Sequence, residues 1–408
     1  MRTLWILNHY AQPPDLPGGT RHFDLSRYLI KKYGWRIIIF TSAFHHWLRR
    51  YVKVSPSEEW KIEEIEGVNF LWIRTRPSYQ CNNWRRLFNM IDFMVRAWRL
   101  GQKLPRLFPK FKRPDVVIGS SVHLFAPLAA YLIAKRFDAK FIMEVRDLWP
   151  QTLIDMDKLG SDNPLAKILR LMEKFLYKRA ERIITLLPYA SQYISALGIP
   201  AEKIVWIPNG VEVPANDLPE VNHTGSFIVM YVGAHGEANA LETVLQAAKH
   251  LEDRRFQEIK FVLIGDGPEK PSLLKMAKEM RLANVEFRPS VKKEKVHATL
   301  RKADVLLFNL GKVEVFKYGI SSNKLFDYMA AGRPIIFAVN APNNPVQEAQ
   351  CGLTVPPLDP QKLANSVIKL YNMPKEERHL MGTRAREYVE EKHSITKLAE
   401  RLHDCLIF

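Results

Sequence analysis

The chain has little cysteine and a shortage of acid. Its 408 residues include only Cys81, Cys351 and Cys405, scattered with no metal or redox spacing. That leaves out a disulfide framework and a cysteine-built metal centre, and it fits a reducing cytoplasm. Asp and Glu number 43 against 60 Lys and Arg, a formal net charge of +17. An excess of that size implies an anionic partner: nucleic acid, an acidic membrane surface or a phosphorylated substrate. No recognised nucleic-acid-binding motif accompanies the charge, so no nucleic-acid partner is expected. Residues 1–8 are too short, and run too soon into polar residues, for a signal peptide. One uncharged run, 116–134, is long enough to raise the question of a membrane span. It holds Gly119, Ser120, Ser121, His123 and Pro127, which predicts a strand, a loop and a buried helix instead.

What is present is a soluble globular profile, 47% hydrophobic and 25% charged, with length for two domains and two cores. Short apolar runs read as buried strands at 3–7, 36–40, 68–73, 115–119, 140–145 and 182–186, with helices between them. The alternation predicts a doubly wound parallel sheet. A polar, Pro-containing stretch follows "IPNGV", and a second alternation begins at 227–232. The first domain is predicted over 1–207, a linker over 208–225 and a second domain from 226.

Gly18 and Gly19 lie between the first strand and a helix over 20–32, where they allow a backbone to approach a ligand closely. The strand 140–145 delivers Arg146 and Asp147 at its C-terminal end, where open α/β sheets hold ligands. His45 and His46 are adjacent, but no suitably spaced carboxylate or cysteine makes them a metal site, and both are expected at the surface. Residues 84–104 read as an amphipathic helix. Trp84, Leu87, Phe88, Ile91, Val95 and Trp98 share one broad face, and Arg85, Arg96, Arg99 and Lys103 form an opposite stripe. Such a helix either lies on an anionic bilayer or packs its apolar face on the core; both readings stay open.

The most informative stretch is 317–334, KYGISSNKLFDYMAAGRP. It begins as a loop and becomes a helix near Asn323. Ser322 or Asn323 would cap that helix, whose free N–H groups and dipole suit an anion such as phosphate. Lys317 and Lys324 add positive charge at the same end. Asp327, one turn on, could accept hydrogen bonds from sugar hydroxyls. Ala330, Ala331 and Gly332 permit a close helix–sheet contact before a strand opened by Pro334. A capped helix in an ordinary α/β domain would look similar.

The stretch resembles the donor-binding segment of retaining glycosyltransferases of the GT-B fold, the large family-four group. It is most similar to the bacterial polysaccharide and O-antigen subset, where a phrase like "YGxSPNKLFDYMAAGKP" recurs; Ser322 replaces its Pro. "IPNGV" and "LIGDGPE" resemble further family phrases. The resemblance implies two facing Rossmann-like domains with a cleft between them: an acceptor domain over 1–207, and a donor domain over 226–387. A last helix, 388–408, would return to the first domain. It also implies Gly18 and Gly19 in the cleft, Asp147 near the acceptor and a nucleotide site bordered by Gly233, His235 and Gly265. Arg288 and Val291 would border the base, Lys317 and Lys324 the diphosphate, with Gly319, Ser321, Ser322 and Asn323 lining the site and Asp327 on the ribose.

The implied reaction moves a sugar, with retention, from a nucleotide-diphosphate donor, UDP-linked, to a lipid-linked or polysaccharide acceptor on the inner face of a bacterial membrane. A departing diphosphate must be neutralised by a metal or by positive groups. No DxD motif stands in a suitable position, so no metal or other cofactor is expected. Three departures from the family stand out. The first Glu of its Glu pair falls on Gly319. The glycine loop of the second domain offers His235, Glu237 and Asn239 instead of Arg and Lys. "EVRDLWP" puts Arg146 at a family His position. Two other functions are compatible with the residues: a UDP-sugar epimerase of the same fold, and a non-catalytic basic adaptor for membrane or nucleic acid.

Overall fold

A computed structural model describes residues 2–81, 83–155, 159–214, 225–312 and 314–407. The predicted linker falls partly, at 215–224, outside the described residues. The chain divides into two compact units, Met1–Pro208 with Ile395–Phe408, and Asn209–Ser394.

The first unit runs β1 (Thr3–Leu7), α1 (Arg21–Tyr33), β2 (Arg36–Ser42), the short β3 (Phe44–His45) and β4 (Arg50–Tyr51), β5 (Trp60–Ile65), β6 (Val68–Ile73) and α2 (Trp84–Leu107). It continues β7 (Val116–Ser120), α3 (Phe125–Phe137), β8 (Lys140–Val145), α4 (Gln151–Asp155), α5 (Pro164–Arg179), β9 (Arg182–Thr185), α6 (Ala190–Ala196) and β10 (Ile204–Trp206). The sheet order is β10-β9-β8-β7-β1-β2-β6-β5. Its pairs are parallel except β5, which runs antiparallel to β6 at the edge. Central strands such as β1 and β7 are buried along their whole length, as a sheet covered on both faces requires.

The second unit runs β11 (Phe227–Val232), α7 (Leu241–Asp253), β12 (Ile259–Ile264), α8 (Lys270–Glu279), β13 (Val285–Arg288), α9 (Lys293–Leu300) and β14 (Val305–Asn309). It continues α10 (Asn323–Ala330), β15 (Ile335–Ala338), α11 (Pro345–Glu348), β16 (Gly352–Val355), α12 (Pro360–Tyr371) and α13 (Lys375–Lys392). All its sheet pairs are parallel, in the order β13-β12-β11-β14-β15-β16. The last helix, α14 (Ile395–Ile407), belongs to the first unit, where Leu398, Ala399, Leu402 and Leu406 join a core with Phe23, Leu29 and Trp35. The predicted return at 388 is too early. Tyr388 and Val389 lie in α13 and pack in the core of the second unit, and the chain leaves that unit after Ser394.

Two further expectations change. The buried side of α2 is Asn89, Met90, Phe93, Ala97, Gly101 and Leu104, while Trp84 and Phe88 are exposed. Small residues decide this: a Cβ on Gly101 would stand 2.6 Å from Ile133 Cδ1, so α2 lies close on α3 along that side. Arg96 is also no free cation, because it pairs with Asp92 and Glu59. His45 is buried instead of exposed. Its Nδ1 accepts from the N–H groups of Trp47 (3.2 Å) and Leu48 (3.1 Å), and its Nε2 meets the carbonyl of Pro17 at 2.8 Å. His46 Nδ1 meets Tyr79 Oη at 2.9 Å. Both imidazoles therefore fasten loops, and among the described residues no His, Cys, Asp and Glu group suits a metal ion.

Within α5, Glu173 turns inward and accepts from Tyr177 Oη (3.0 Å) and Tyr193 Oη (2.9 Å). Burial pushes its carboxyl up to about 7, against the opposing pull of those two hydroxyls. The folded chain therefore holds this proton more tightly than the unfolded chain, and stability falls as pH rises between the two values. Relative to Glu173→Gln, the parent should lose up to about 3 kcal/mol of unfolding free energy between pH 4.5 and 8, read by denaturant melts. Parallel pH profiles for the two proteins would refute the assignment.

Candidate active site

In each sheet the strand order reverses at one place, and that is where open α/β sheets hold ligands. In the second unit the reversal lies between β11 and β14. The loops leaving those two strands are stitched together across it. Asn309 Nδ2 donates to the carbonyls of Asn239 (2.6 Å) and Ala240 (2.9 Å), and the Gly311 N–H donates to Ala238 O (2.9 Å).

Lys324 reaches this place from the first turn of α10. Its Nζ donates to Asn239 Oδ1 (2.8 Å) and Tyr231 Oη (3.2 Å). It also stands 4.4 Å from the Tyr231 ring centroid and 4.9 Å from that of Phe308. These partners are neutral, and burial pulls the ammonium down to about 7. Its stem passes over Gly233, where a Cβ would come within 2.9 Å of Lys324 Cδ. Gly265 is pressed against Gly233: a Cβ there would stand 1.9 Å from the Gly233 carbonyl oxygen, at φ +150°. His235 is fully buried, and neither ring nitrogen has a hydrogen-bond partner.

The start of α10 is held from outside the helix. Asn343 Oδ1 accepts from Ile320 N (2.8 Å) and its Nδ2 donates to Ile320 O (2.9 Å). Asn209 makes the matching pair with Ser321, its N–H to Oγ (2.9 Å) and its Nδ2 to the carbonyl (2.6 Å). Gly319, at φ 93°, makes the turn before them. Ser322 stands at the N-cap with extended backbone, but no side chain caps the helix, contrary to the predicted capping by Ser322 or Asn323. The segment thus presents an uncapped helix start beside Lys324.

The structure gathers Gly233, His235, Gly265, Ser322, Asn323 and Lys324 in this way, and separates others. Lys317 is exposed and its Nζ lies 5.3 Å from the Tyr318 ring centroid. Asp327 is buried, with both carboxylate oxygens 2.8 Å from Lys293 Nζ and one 3.7 Å from His297 Nε2. Arg288 turns its guanidinium to Glu286, 2.7 Å away, and its carbonyl accepts from Gly265 N at 3.2 Å. Val291 packs against the core.

In the first unit the reversal lies between β1 and β7. His9 follows β1, His123 follows β7, and His9 Nδ1 meets His123 Nε2 at 2.7 Å. The Ala126 N–H donates to His123 Nδ1 (3.4 Å), which makes Nε2 the donor in the pair. Both rings are buried, and burial holds both imidazoles down, His123 at about 3. Next to them Glu144 accepts from Arg21 Nε (2.9 Å) and Ser120 Oγ (2.7 Å) and pairs with His22 Nε2 (2.7 Å). Arg146 and Asp147 follow β8, the latter exposed. Gly18 is exposed at φ 143°, in the loop whose Pro17 carbonyl is tied to His45. Sequence reasoning did not single out Glu144, Arg21, His22, His9, Asn309 or Asn343, and it named His123 only as a polar interruption of an apolar run and Asn239 only as a departure from the family's basic residues. A carboxylate inside the apolar run 140–145 was the available signal for the first; the asparagines give none without a register.

Comparison with known proteins names the class. Residues 19–210 match the family described as glycosyl transferase 4-like domain, and residues 226–373 match glycosyl transferases group 1. The chain carries both domains, one in each unit, and belongs to the glycosyltransferases of the GT-B fold class. A relative in Escherichia coli (strain K12), WcaI, named for glycosyl transfer in colanic acid biosynthesis, is 24% identical over 60% of this chain and 62% of its own length. A Pseudomonas aeruginosa relative named as a glycosyltransferase, WbjE, is 24% identical over 64% of this chain and 67% of its own. Among solved structures, sucrose-phosphate synthase from Thermosynechococcus elongatus superposes with a TM-score of 0.74 at 16% identity, covering 99% of this chain and 98% of that one. The Anabaena protein HepE in complex with UDP and glucose gives 0.68 at 12% identity, with 99% and 98% covered.

Substitution tests the close approach of the two glycines. Gly265→Ala should lower the unfolding free energy by about 2 kcal/mol or more, because the new methyl meets backbone at a strained φ. Gly236→Ala is the control, since its Cβ would find nothing nearer than Asn239 Nδ2 at 4.0 Å. Equal melting of the two variants would mean that the contact is not as close as described.

Proposed function

We propose that the protein transfers a sugar, with retention and without a metal, from a UDP-linked donor to a lipid-linked or polysaccharide acceptor in bacterial surface glycan biosynthesis. The observation that carries this reading is Lys324: a cation at the reversal point of the second sheet, with neutral partners and an uncapped helix start beside it. A half-buried cation without a counter-ion is costly, and a diphosphate supplies the missing charge. The colanic acid name of the Escherichia coli relative supports a surface glycan product, and the UDP complex of HepE supports the nucleotide.

In this reaction the bond between the anomeric carbon and the diphosphate oxygen breaks while the acceptor oxygen bonds to the same face of that carbon. The acceptor proton passes to the departing phosphate oxygen, so no protein nucleophile is needed. Lys324 and the first N–H groups of α10 take up the charge that develops on the diphosphate. Gly233 and Gly265 keep the loop low enough for the phosphates to approach. Asp327 offers the ribose a carboxylate that Lys293 already orients. Asp147, Arg146, Gly18 and Gly19 serve the acceptor from the first unit, and the protein works at the cytoplasmic face of the membrane.

Lys324 sets a pH signature. Its free value of about 7 rises when a diphosphate binds, so binding takes up a proton. The affinity for a UDP-sugar, whose phosphates do not titrate in this range, should fall by roughly tenfold per pH unit above about 7.5. Calorimetry with EDTA present should show this fall, and Lys324→Met should bind at least about tenfold more weakly at pH 7 with the pH dependence gone. Affinity that is flat with pH, or unchanged in Lys324→Met, removes Lys324 from the site. Donor binding that requires magnesium or manganese overturns the metal-free mechanism, and turnover of a UDP-sugar without acceptor would indicate an epimerase.

A further inference from the structure

We infer that the outward face of α5 is a docking surface for an anionic lipid bilayer. The helix leaves an apolar stripe uncovered: Leu165 is 37% exposed, Ile168 57%, Leu171 71% and Phe175 38%. These residues recur at the three- and four-residue spacing that keeps them on one side of a helix. The opposite side is already spent, since Ala166, Leu169, Glu173, Leu176 and Tyr177 are buried. A soluble surface helix normally buries its apolar stripe. This one buries one stripe and shows another.

Charge chooses the occupant. Lys167, Arg170, Lys174, Lys178 and Arg179 are all exposed on α5. Its only acid, Glu173, points inward to two tyrosines. Lys167, Arg170, Lys174 and Lys178 follow one edge of the apolar stripe, again at three- and four-residue steps. Beside that edge lies a shallow depression of about 480 Å³ lined by Lys167, Arg170, Leu171, Lys174, Tyr193 and Leu197. Protein interfaces are depleted in lysine at their centres. A bilayer accepts both parts at once: the apolar side chains sink below the headgroups, and the cations stay at headgroup level against anionic lipid.

The same layer of the first unit continues the pattern. α5 packs on α3 through the edge contact of Phe175 with Tyr131, 5.3 Å between ring centroids, and α3 packs on α2. At its first turns α2 shows Trp84 (64% exposed) and Phe88 (53%), with Arg85 beside them. Helices that connect parallel strands start at the C-terminal ends of those strands, so the exposed first turns of α2 and α5 lie toward the edge that carries Asp147. The basic stripe of α2 is weaker, because Arg96 is neutralised by Asp92 and Glu59. Docking gives the proposed lipid-linked acceptor a reason to meet this unit, and rests on that reading only for its purpose.

The test is flotation of the full chain with vesicles of phosphatidylglycerol and phosphatidylcholine. The parent should rise with vesicles rich in phosphatidylglycerol, stay behind with pure phosphatidylcholine, and leave the anionic vesicles as salt is raised. Two surface variants, Ile168→Ser with Leu171→Ser and Phe175→Ser, and Lys167→Glu with Arg170→Glu and Lys174→Glu, should each reduce flotation at least tenfold. The single Leu171→Asp should do so severalfold, which covers the chance that a triple variant misfolds. UDP-sugar binding should be unchanged in all three. A parent that ignores anionic vesicles, or variants that float as the parent does, overturns the docking surface while donor binding stands. Loss of donor binding in the parent itself would instead remove the proposed function and leave docking to its own result.

Discussion

Glu144 is the constraint around which the first unit closes. It is a carboxylate inside a central strand, 3% exposed, and burial alone would drive it to the neutral form. His22 and Arg21 beside it hold it well below the usual carboxylate range instead. Arg21 also donates from Nη1 and Nη2 to the carbonyls of Pro208 and Ile207, where the chain leaves the unit. Asn8 Nδ2 meets His22 Nδ1 at 3.0 Å and ties in the loop after β1. One charge thus fixes the start of α1, the ends of β1, β7 and β8, and the exit of the chain. Losing one partner of such a cluster costs about 3–5 kcal/mol, more than the pair adds over an apolar replacement, because it strands the others.

The second unit has the opposite electrostatic design at the corresponding edge. Lys324 has aromatic rings and neutral oxygens around it, so it is held in place without being neutralised. Placement comes from neutral clamps: Asn309 across the reversal point, and Asn343 and Asn209 on the loop before α10. Amides suit this task because they offer a donor and an acceptor and bring no charge that would compete with an anionic ligand. Asp327, one turn on, shows the contrast. Its charge is already met by Lys293, so it is a weaker attractor for a cation and a better-oriented acceptor for hydroxyls.

Much of the architecture was legible because it rests on local pattern. Apolar runs punctuated by Gly and Pro gave the alternation in both halves, and the run 317–334 placed Lys324 at the start of a helix. What was not legible depended on partners far away in the chain. The inner face of α2 was misread because Trp84 and Phe88 outweigh Ala97 and Gly101 in hydrophobicity, while close packing on α3 favours the small residues. His45 looked like surface because nothing near it in sequence suits a metal, yet it closes a turn and a loop from inside. Asp327 reads as free until α9 brings Lys293 to it, and Lys317 reads as part of the site until the turn leaves it in solvent. The boundary at 388 failed because α13 carries charged residues on a helix that still buries Gly382, Ala385 and Val389.

The charge of +17 was read as evidence for an anionic ligand, and its location divides that inference in two. The proposed donor site uses very little of it: one lysine, poised near neutrality, and backbone N–H groups. Many other cations are cancelled locally, as in the pairs of Arg27 with Glu66, Lys53 with Asp15 and Arg96 with Asp92. The excess lies where no acid answers it, as along α5 and along the stretch from Arg99 to Arg113. A short-range site for a diphosphate needs positioned charge in a dry pocket, whereas attraction to a membrane needs many exposed charges that act within a Debye length of about 8 Å in physiological salt. Composition reports only the sum of the two. Ligand affinity should therefore depend on the protonation of one residue and little on salt, and surface attraction on salt and little on that residue.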